Sequence, residues 1–146
     1  MPVLRLLLLV AFAMLAGCGD ANSPEQQVRR VLEQIETAVE ERNTRDLARH
    51  LAAEYRDQNG MSRDDAVRHV RGYFLATHQL HLMPVVEQVE FPLPDEARVR
   101  VIVTMLSGEA DAAGNWDRDA GIYEFKLALR REDEQWKVTF AQWRRR

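Results

Sequence analysis

Side chains that could move a proton occur around one predicted turn. Asp57 lies two residues after Tyr55 and just before an Asn-Gly turn signal at 59–60. A carboxylate placed in a pocket can act as a general base, with Tyr55 or Glu87 as its helper. An aspartate at such a turn is equally typical of a residue that bonds the local backbone. Both interpretations of Asp57 stay open on sequence alone.

Glu87 is the second carboxylate whose position invites a chemical role. It alternates with Val85, Val89 and Phe91, so strict strand periodicity would place it on an apolar face. A carboxylate on such a face is either a pocket acid or a residue at the exposed rim. Because Pro84 interrupts the same strand, the face that Glu87 joins is open, and the rim is favoured.

The histidines do not form a metal-binding pattern. Zinc requires three or four convergent ligands, and the spacing of His50, His69, His78 and His81 matches no such motif. The chain also has no nucleophile elbow, phosphate-binding glycine loop or dinucleotide fingerprint. We therefore predict no metal and no cofactor. His69, on a predicted helix, is kept as a candidate ligand contact.

One aromatic residue stands apart from the predicted core. Trp116 lies within Gly108–Ala120, a segment rich in Ala, Gly and Asp that reads as a loop. A lone aromatic side chain in a loop often closes over a pocket or meets a partner. Trp116 joins Tyr55, Asp57 and His69 as candidate ligand-binding residues.

Composition limits the classes of partner. The chain of 146 residues has a formal net charge of −3, which argues against general nucleic-acid binding. Cys18 is its only cysteine, so neither an internal disulfide nor a cysteine zinc site can form.

The first eighteen residues are typical of a targeting signal. Arg5 precedes an apolar run that is shorter than the about 20 residues needed to span a bilayer. The following Leu15-Ala16-Gly17-Cys18 resembles the lipobox of bacterial lipoproteins. That resemblance implies a signal peptide over 1–17, diacylglycerol and an acyl chain on Cys18, a short tether over 18–23 and one domain over 24–146.

The tether also predicts a location. Four residues reach at most roughly 15 Å, so the domain must sit close to the membrane. In lipoproteins an aspartate directly after the cysteine commonly signals retention in the inner membrane, whereas this chain has Gly19 there. The resemblance therefore favours the periplasmic face of the outer membrane.

Helix caps and periodic apolar residues predict three helices. Ser23 can cap the first, with Pro24 at its first position, and Ser62 caps the third through a capping box with Asp65. The predicted helices run over about 24–42, 44–53 and 63–77.

Alternating apolar residues predict four long antiparallel strands. The strands lie over about 80–91, 97–107, 121–131 and 136–143, with a bulge or edge position at Pro84 and a last hairpin turn at Glu132–Gln135. The alternation puts one set of residues on the buried face: Val99, Val101, Val103, Met105, Tyr123, Phe125, Leu127, Leu129, Trp136, Val138 and Phe140.

The order of these elements resembles the nuclear transport factor 2-like superfamily, also called SnoaL-like or cystatin-like cone domains. Trp136 and Trp143 flank the last strand as in many members, and Tyr55 and Asp57 follow the second helix. The resemblance implies an α+β fold in which three N-terminal helices pack on a bent antiparallel sheet of four long strands. It also implies a pocket at the wide end of the cone.

Within that superfamily, the ketosteroid isomerase branch moves a proton with an aspartate placed like Asp57. The branch also needs a tyrosine on the first helix and a protonated acid on a strand. This chain has no tyrosine on its first helix and no acid among the inward positions from Val99 to Met105. The resemblance therefore leaves the catalytic set incomplete.

The opposite face of the predicted sheet is also rich in apolar residues, which suggests self-association into a homodimer. Its predicted members are Ile102, Thr104, Leu106, Ile122, Glu124, Lys126, Ala128, Thr139, Ala141 and Trp143.

The sequence is compatible with three functions. The first is a non-catalytic, membrane-tethered domain that binds a small apolar or amphipathic ligand or an envelope protein. The second is an isomerase or hydratase that uses Asp57 as general base. The third is a structural module that docks onto an envelope assembly.

Overall fold

The computed structural model describes residues 22–110 and 116–146, with the side chains of 109, 110 and 116–119 left out. The predicted signal peptide over 1–17 and the lipidation site at Cys18 lie outside the described residues.

Three helices form where the caps predict them. Helix α1 covers Pro24–Glu40, α2 covers Thr44–Arg49, and α3 covers Arg63–Ala76. The Ser23 hydroxyl accepts from the N–H of Gln26, and the Ser62–Asp65 capping box is complete. The predicted starts are confirmed, and α2 is shorter than predicted.

The second helix is short because the next residues join the sheet. Strand β1 covers Leu51–Asp57 and pairs in parallel with the last strand, with Leu51 opposite Val138 and Asp57 opposite Ala141. Nothing local signals a pairing between segments so far apart in sequence. The predicted sheet of four long antiparallel strands is confirmed, and β1 adds one short parallel strand at its edge.

The other four strands are those that alternation predicts. They are β2 (Gln79–Leu93), β3 (Glu96–Ala110), β4 (Trp116–Glu132) and β5 (Gln135–Arg145), and the sheet order is β1-β5-β4-β3-β2. Pro84 lies on β2, an edge strand, as expected for a residue without an N–H.

The β3–β4 hairpin is longer than predicted. Pairing continues through Gly108 opposite Arg118 to Ala110 opposite Trp116, so most of the predicted loop at 108–120 is strand. The ladder set up by the apolar residues extends over small residues of low strand propensity. Trp116 therefore begins a strand instead of standing in a loop, and its side chain lies outside the described residues.

A bulge in β5 changes which residues of that strand are buried. Ala128 pairs with Phe140 and Leu129 with Val138, so Thr139 is an extra residue. After this extra residue, each side chain of β5 lies on the face opposite to the one that simple alternation predicts. Phe140 is 39% exposed, whereas Ala141 and Trp143 join the core, so the predicted faces of these three residues were wrong.

A second bulge, at Glu87 in β2, likewise moves the residues beyond it to the face opposite to the predicted one. Val86 pairs with Val101 and Gln88 with Arg100. Val85 is 61% exposed, while Val89 packs on the core and Phe91 meets Trp136 edge-on at 5.8 Å. The predicted sharing of one face by Val85, Val89 and Phe91 was wrong because the bulge separates them.

The core lies between α1 and the inner face of the sheet. Val28 of α1 and Leu129 of β4 are its largest fully buried side chains. The remaining buried members are Leu51, Tyr55, Ala97, Val99, Val101, Trp136, Val138 and Ala141. The inner face is the concave side on which any enclosed ligand would lie.

The β4–β5 turn offers a test of this geometry. Asp133 and Glu134 have φ values of 48° and 66°, a left-handed pair that favours glycine at the second position. We expect Glu134→Gly to raise the free energy of unfolding by about 0.5 kcal/mol, because relief of strain exceeds the added entropy of the unfolded chain. Urea-induced unfolding measures the change. The control Gln135→Gly, in the strand, should destabilise the chain, and a destabilised Glu134→Gly would contradict the turn geometry.

Candidate functional site

Asp57 ends β1 on the inner face and is 4% exposed. The N–H groups of Asn59 and Met61 donate to its Oδ1 at 2.8 and 2.9 Å. The N–H of Gly60, whose φ is 78°, donates to the Asp57 carbonyl at 2.9 Å. One carboxylate oxygen therefore holds the turn that leads into α3.

The other oxygen of Asp57 is unusual. Oδ2 is buried and has no hydrogen-bond partner, and within residues 22–110 and 116–146 no other buried side-chain nitrogen or oxygen shares that condition. Burying a polar atom without a partner costs free energy, so native proteins rarely leave one. Among the described residues, Oδ2 is thus an acceptor without a donor.

Tyr55 lies two residues earlier on the same face and is 5% exposed. Burial, aided by the negative charge of Asp57, raises the pKa of the Tyr55 phenol to about 12. The phenol therefore stays protonated at physiological pH. Tyr55 and Asp57 are the two sequence-predicted candidates that the structure brings together.

The structure does not bring Glu87 to Asp57. Glu87 is on β2 and Asp57 on β1, which are opposite edges of the sheet with three strands between them. The carboxylate of Glu87 is exposed and pairs with Nε of Arg100 at 3.1 Å. The favoured position at the rim or surface agrees with this arrangement.

His69 does not face the interior either. Helix α3 buries Phe74 and packs Ala66 and Val67 against the core, whereas His69 is exposed. The turn of α3 that packs Ala66 and Val67 against the core directs His69 towards solvent, so its expected position facing a pocket was wrong. Over the described residues, no group of three or more His, Cys, Asp or Glu side chains could hold a metal ion.

A polar groove of about 590 Å³ lies between α1, the end of α2 and the β4–β5 hairpin. Trp136 forms part of its wall and donates its indole N–H to Oε1 of Gln27 at 3.1 Å. The sequence did not reveal this groove, because its arginines come from elements that are distant in the chain. None of Tyr55, Asp57, Glu87 or His69 lines it.

His50 lies in this groove at the junction of α2 and β1. Burial lowers the pKa of His50, and the positive charges of Arg49 and Lys137 lower it further against the opposing charge of Asp46. The imidazole is therefore neutral at physiological pH.

On the outer face of the sheet a carboxylate is clamped by two arginines. Glu124 is 4% exposed, and its Oε2 accepts from Arg144 at 3.0 Å and from Arg146 at 2.8 Å. These hydrogen bonds and the two positive charges lower the pKa of Glu124 to about 2 against the effect of burial. The C-terminal arginines are held on the sheet by this contact.

The clamp predicts an acid dependence. Because the pKa of Glu124 is lower in the folded chain than its ordinary 4.5, its stabilising effect is complete above pH 4.5 and is lost as the pH falls towards 2. We expect Glu124→Gln to destabilise the chain at pH 7. Its free energy of unfolding should also change less with pH between 4.5 and 2 than that of the unaltered chain. Thermal unfolding across the interval measures this. Glu33→Gln, on the exposed side of α1, is the control, and an unchanged slope in Glu124→Gln would contradict the assignment.

No protein-family profile and no curated protein match the sequence. Solved structures do match. A candidate dehydratase of the NTF2-like family from Streptomyces avermitilis is 17% identical, with a TM-score of 0.71 over 81% of this chain and 93% of that one. The chain has the nuclear transport factor 2-like fold.

Two further solved structures share this cone fold. A candidate scytalone dehydratase from Novosphingobium aromaticivorans is 16% identical, with a TM-score of 0.70 over 84% of this chain and 83% of that one. A type 2 hexachlorocyclohexane dehydrochlorinase is 14% identical, with a TM-score of 0.69 over 83% and 84%. Identities this low show the fold alone.

Within the described part of this cone protein, no helix is both long and apolar enough to cross a membrane.

The two roles of the Asp57 carboxylate can be separated by substitution. We expect Asp57→Ala to lower the free energy of unfolding by about 2 kcal/mol, because two backbone N–H groups lose a charged acceptor. Asp57→Asn keeps an oxygen for both donors and should cost about half as much. Urea-induced unfolding measures both, with the exposed Asp64→Ala as control. Equal stability of Asp57→Ala and the unaltered chain would contradict the turn assignment.

Proposed function

We propose that this chain is a membrane-tethered envelope protein whose cone binds a small amphipathic ligand without catalysis. The observation that carries the proposal is the buried Oδ2 of Asp57, which has no partner in the described residues. A ligand hydroxyl, amine or amide N–H would satisfy it.

The surroundings of this oxygen indicate the rest of the ligand. Tyr55 precedes Asp57 on the inner face, Ala141 lies opposite it, and Trp143 and Phe125 stack at 6.2 Å farther along that face. These four side chains are apolar or aromatic, and Oδ2 of Asp57 is the hydrogen-bond acceptor beside them. Such a site favours a compact apolar body with a single hydrogen-bond donor.

The same geometry argues against efficient catalysis by Asp57. Its other oxygen is already bound by two backbone N–H groups, and Glu87 lies on the far edge of the sheet. A general base gives little acceleration without a group that stabilises the developing negative charge. The inward positions Val99, Val101 and Val103 supply no such group.

The proposed tether rests on the sequence Leu15-Ala16-Gly17-Cys18 and on the fold that follows it. Helix α1 begins at Pro24, so at most a few residues separate a lipid on Cys18 from the domain. Acyl chains on that cysteine would suffice for stable anchoring. We place the domain at the periplasmic face of the outer membrane.

A second candidate function is a lyase or isomerase that uses Asp57 as its base. The free Oδ2 would accept the proton, and the cone-fold neighbours named as dehydratases and a dehydrochlorinase favour proton abstraction with loss of a leaving group. The neighbours contribute only analogy of fold.

A partner surface is also proposed, on the outer face of the sheet. Met83, Val85 and Ile122 are between 43% and 61% exposed there, and Ile102 lies between them in the register. We propose that this patch is covered by a second copy of the chain or by an envelope protein.

The ligand proposal is tested by native mass spectrometry of the chain purified gently from its own cells. We expect an added mass of one discrete small molecule that is retained by Asp64→Asn and lost from Asp57→Asn. Retention of the same adduct by folded Asp57→Asn would overturn the assignment of Oδ2 as the contact. If the extracted molecule is consumed by the unaltered chain and not by Asp57→Asn, the lyase or isomerase replaces the non-catalytic binder.

A further inference from the structure

The groove between α1, α2 and the β4–β5 hairpin carries a concentration of positive charge. Arg30, Arg49 and Arg131 line it, and Glu134 is the carboxylate in its lining. Asp46, which pairs with Arg49 at 2.8 Å, is a second carboxylate beside these groups, so three guanidinium groups and two carboxylates leave one positive charge while His50 is neutral. The chain as a whole carries a formal net charge of −3, so this local charge is opposite in sign to the average.

The donors of the groove suit an oxyanion. A guanidinium has five N–H groups in a planar fork that matches phosphate geometry, and the amides of Gln34 and Gln135 add neutral donors. Arg49 uses one nitrogen for Asp46 at 2.8 Å, which leaves further N–H groups for a ligand. Arg131 is exposed at the hairpin, directly across from Trp136.

The positions of these arginines are fixed by three separate elements. Arg30 lies on α1, Arg49 ends α2, and Arg131 lies at the end of β4. Burial is the main cause of the lowered pKa of His50, and the positive charges of Arg49 and Lys137 act in the same direction. Asp46 is the carboxylate that opposes this lowering.

The groove also lies where the chain enters the domain. Asn22 is part of its wall and stands four residues after Cys18. Four residues span at most roughly 15 Å, so a lipid on Cys18 would keep the groove within that distance of the bilayer surface. Lipid headgroups are then the phosphates present at the highest local concentration.

We propose that this groove binds the phosphate of an anionic lipid headgroup through Arg30, Arg49 and Arg131, and so sets the orientation of the domain on its membrane. The proposal rests on the proposed lipid tether at Cys18. It is independent of the ligand proposed for Asp57, because neither Tyr55 nor Asp57 lines the groove.

The test uses the full chain with its own anchor, reconstituted in vesicles of phosphatidylcholine alone or with one part in three of phosphatidylglycerol. Hydrogen–deuterium exchange of the backbone over 131–136 is measured in each. We expect exchange there to be about tenfold slower with phosphatidylglycerol. Arg131→Gln and Arg49→Gln should each remove most of that difference, whereas the exposed Arg68→Gln on α3 should retain it.

Three results would overturn the proposal. Equal exchange at 131–136 in the two kinds of vesicle would exclude headgroup binding. Loss of the difference in Arg68→Gln as well as in Arg131→Gln would indicate only general attraction between charges. Equal protection by inorganic phosphate added to phosphatidylcholine vesicles would assign the groove to a free anion.

The mass of Cys18 in the same sample separates this inference from the tether on which it rests. An acylated Cys18 with no effect of phosphatidylglycerol would overturn the groove and leave the tether in place. An unmodified Cys18 would overturn the tether and, with it, the argument for a lipid source.

Discussion

The parallel pairing of β1 with β5 is the constraint on which both candidate sites depend. Val138 donates its N–H to the His50 carbonyl at 2.8 Å, and at the other end Gln58 donates to the Ala141 carbonyl at 3.0 Å. These bonds fix a strand of seven residues, about 20 Å long, between the polar groove and the buried Asp57. A shift by one residue in this pairing would turn Tyr55 and Asp57 to the other face.

The helices and strands could be predicted from sequence because their signals are local. Ser23 and Ser62 are caps that act within four residues, and the alternation from Val99 to Met105 is visible in one segment. The two bulges could not be predicted in the same way. Thr139 and Glu87 are extra residues only relative to a partner strand, so the parity beyond each depends on pairing that sequence does not display.

The two candidate sites also differ in whether a local signal in the sequence reveals them. Asp57 could be found because an acid beside Asn-Gly is informative by itself, although its free oxygen could be seen only in three dimensions. The groove could not be found, since Arg30, Arg49 and Arg131 come from three elements that are distant in sequence. His69 shows the converse error, in which the residue type suggested a contact and the helical phase points it outward.

Net charge is a poor guide to partners when opposite charges are segregated on the surface. The average of −3 predicts repulsion from an anionic membrane, but at physiological ionic strength interactions between exposed charges are screened beyond about 8 Å. The potential met by a headgroup is therefore set by the nearest groups, which in the groove are mostly guanidinium. Arg144 and Arg146 are held elsewhere, by Glu124 on the outer face of the sheet. The guanidinium groups of the groove lie instead beside Asn22, next to the point where a lipid tether would begin.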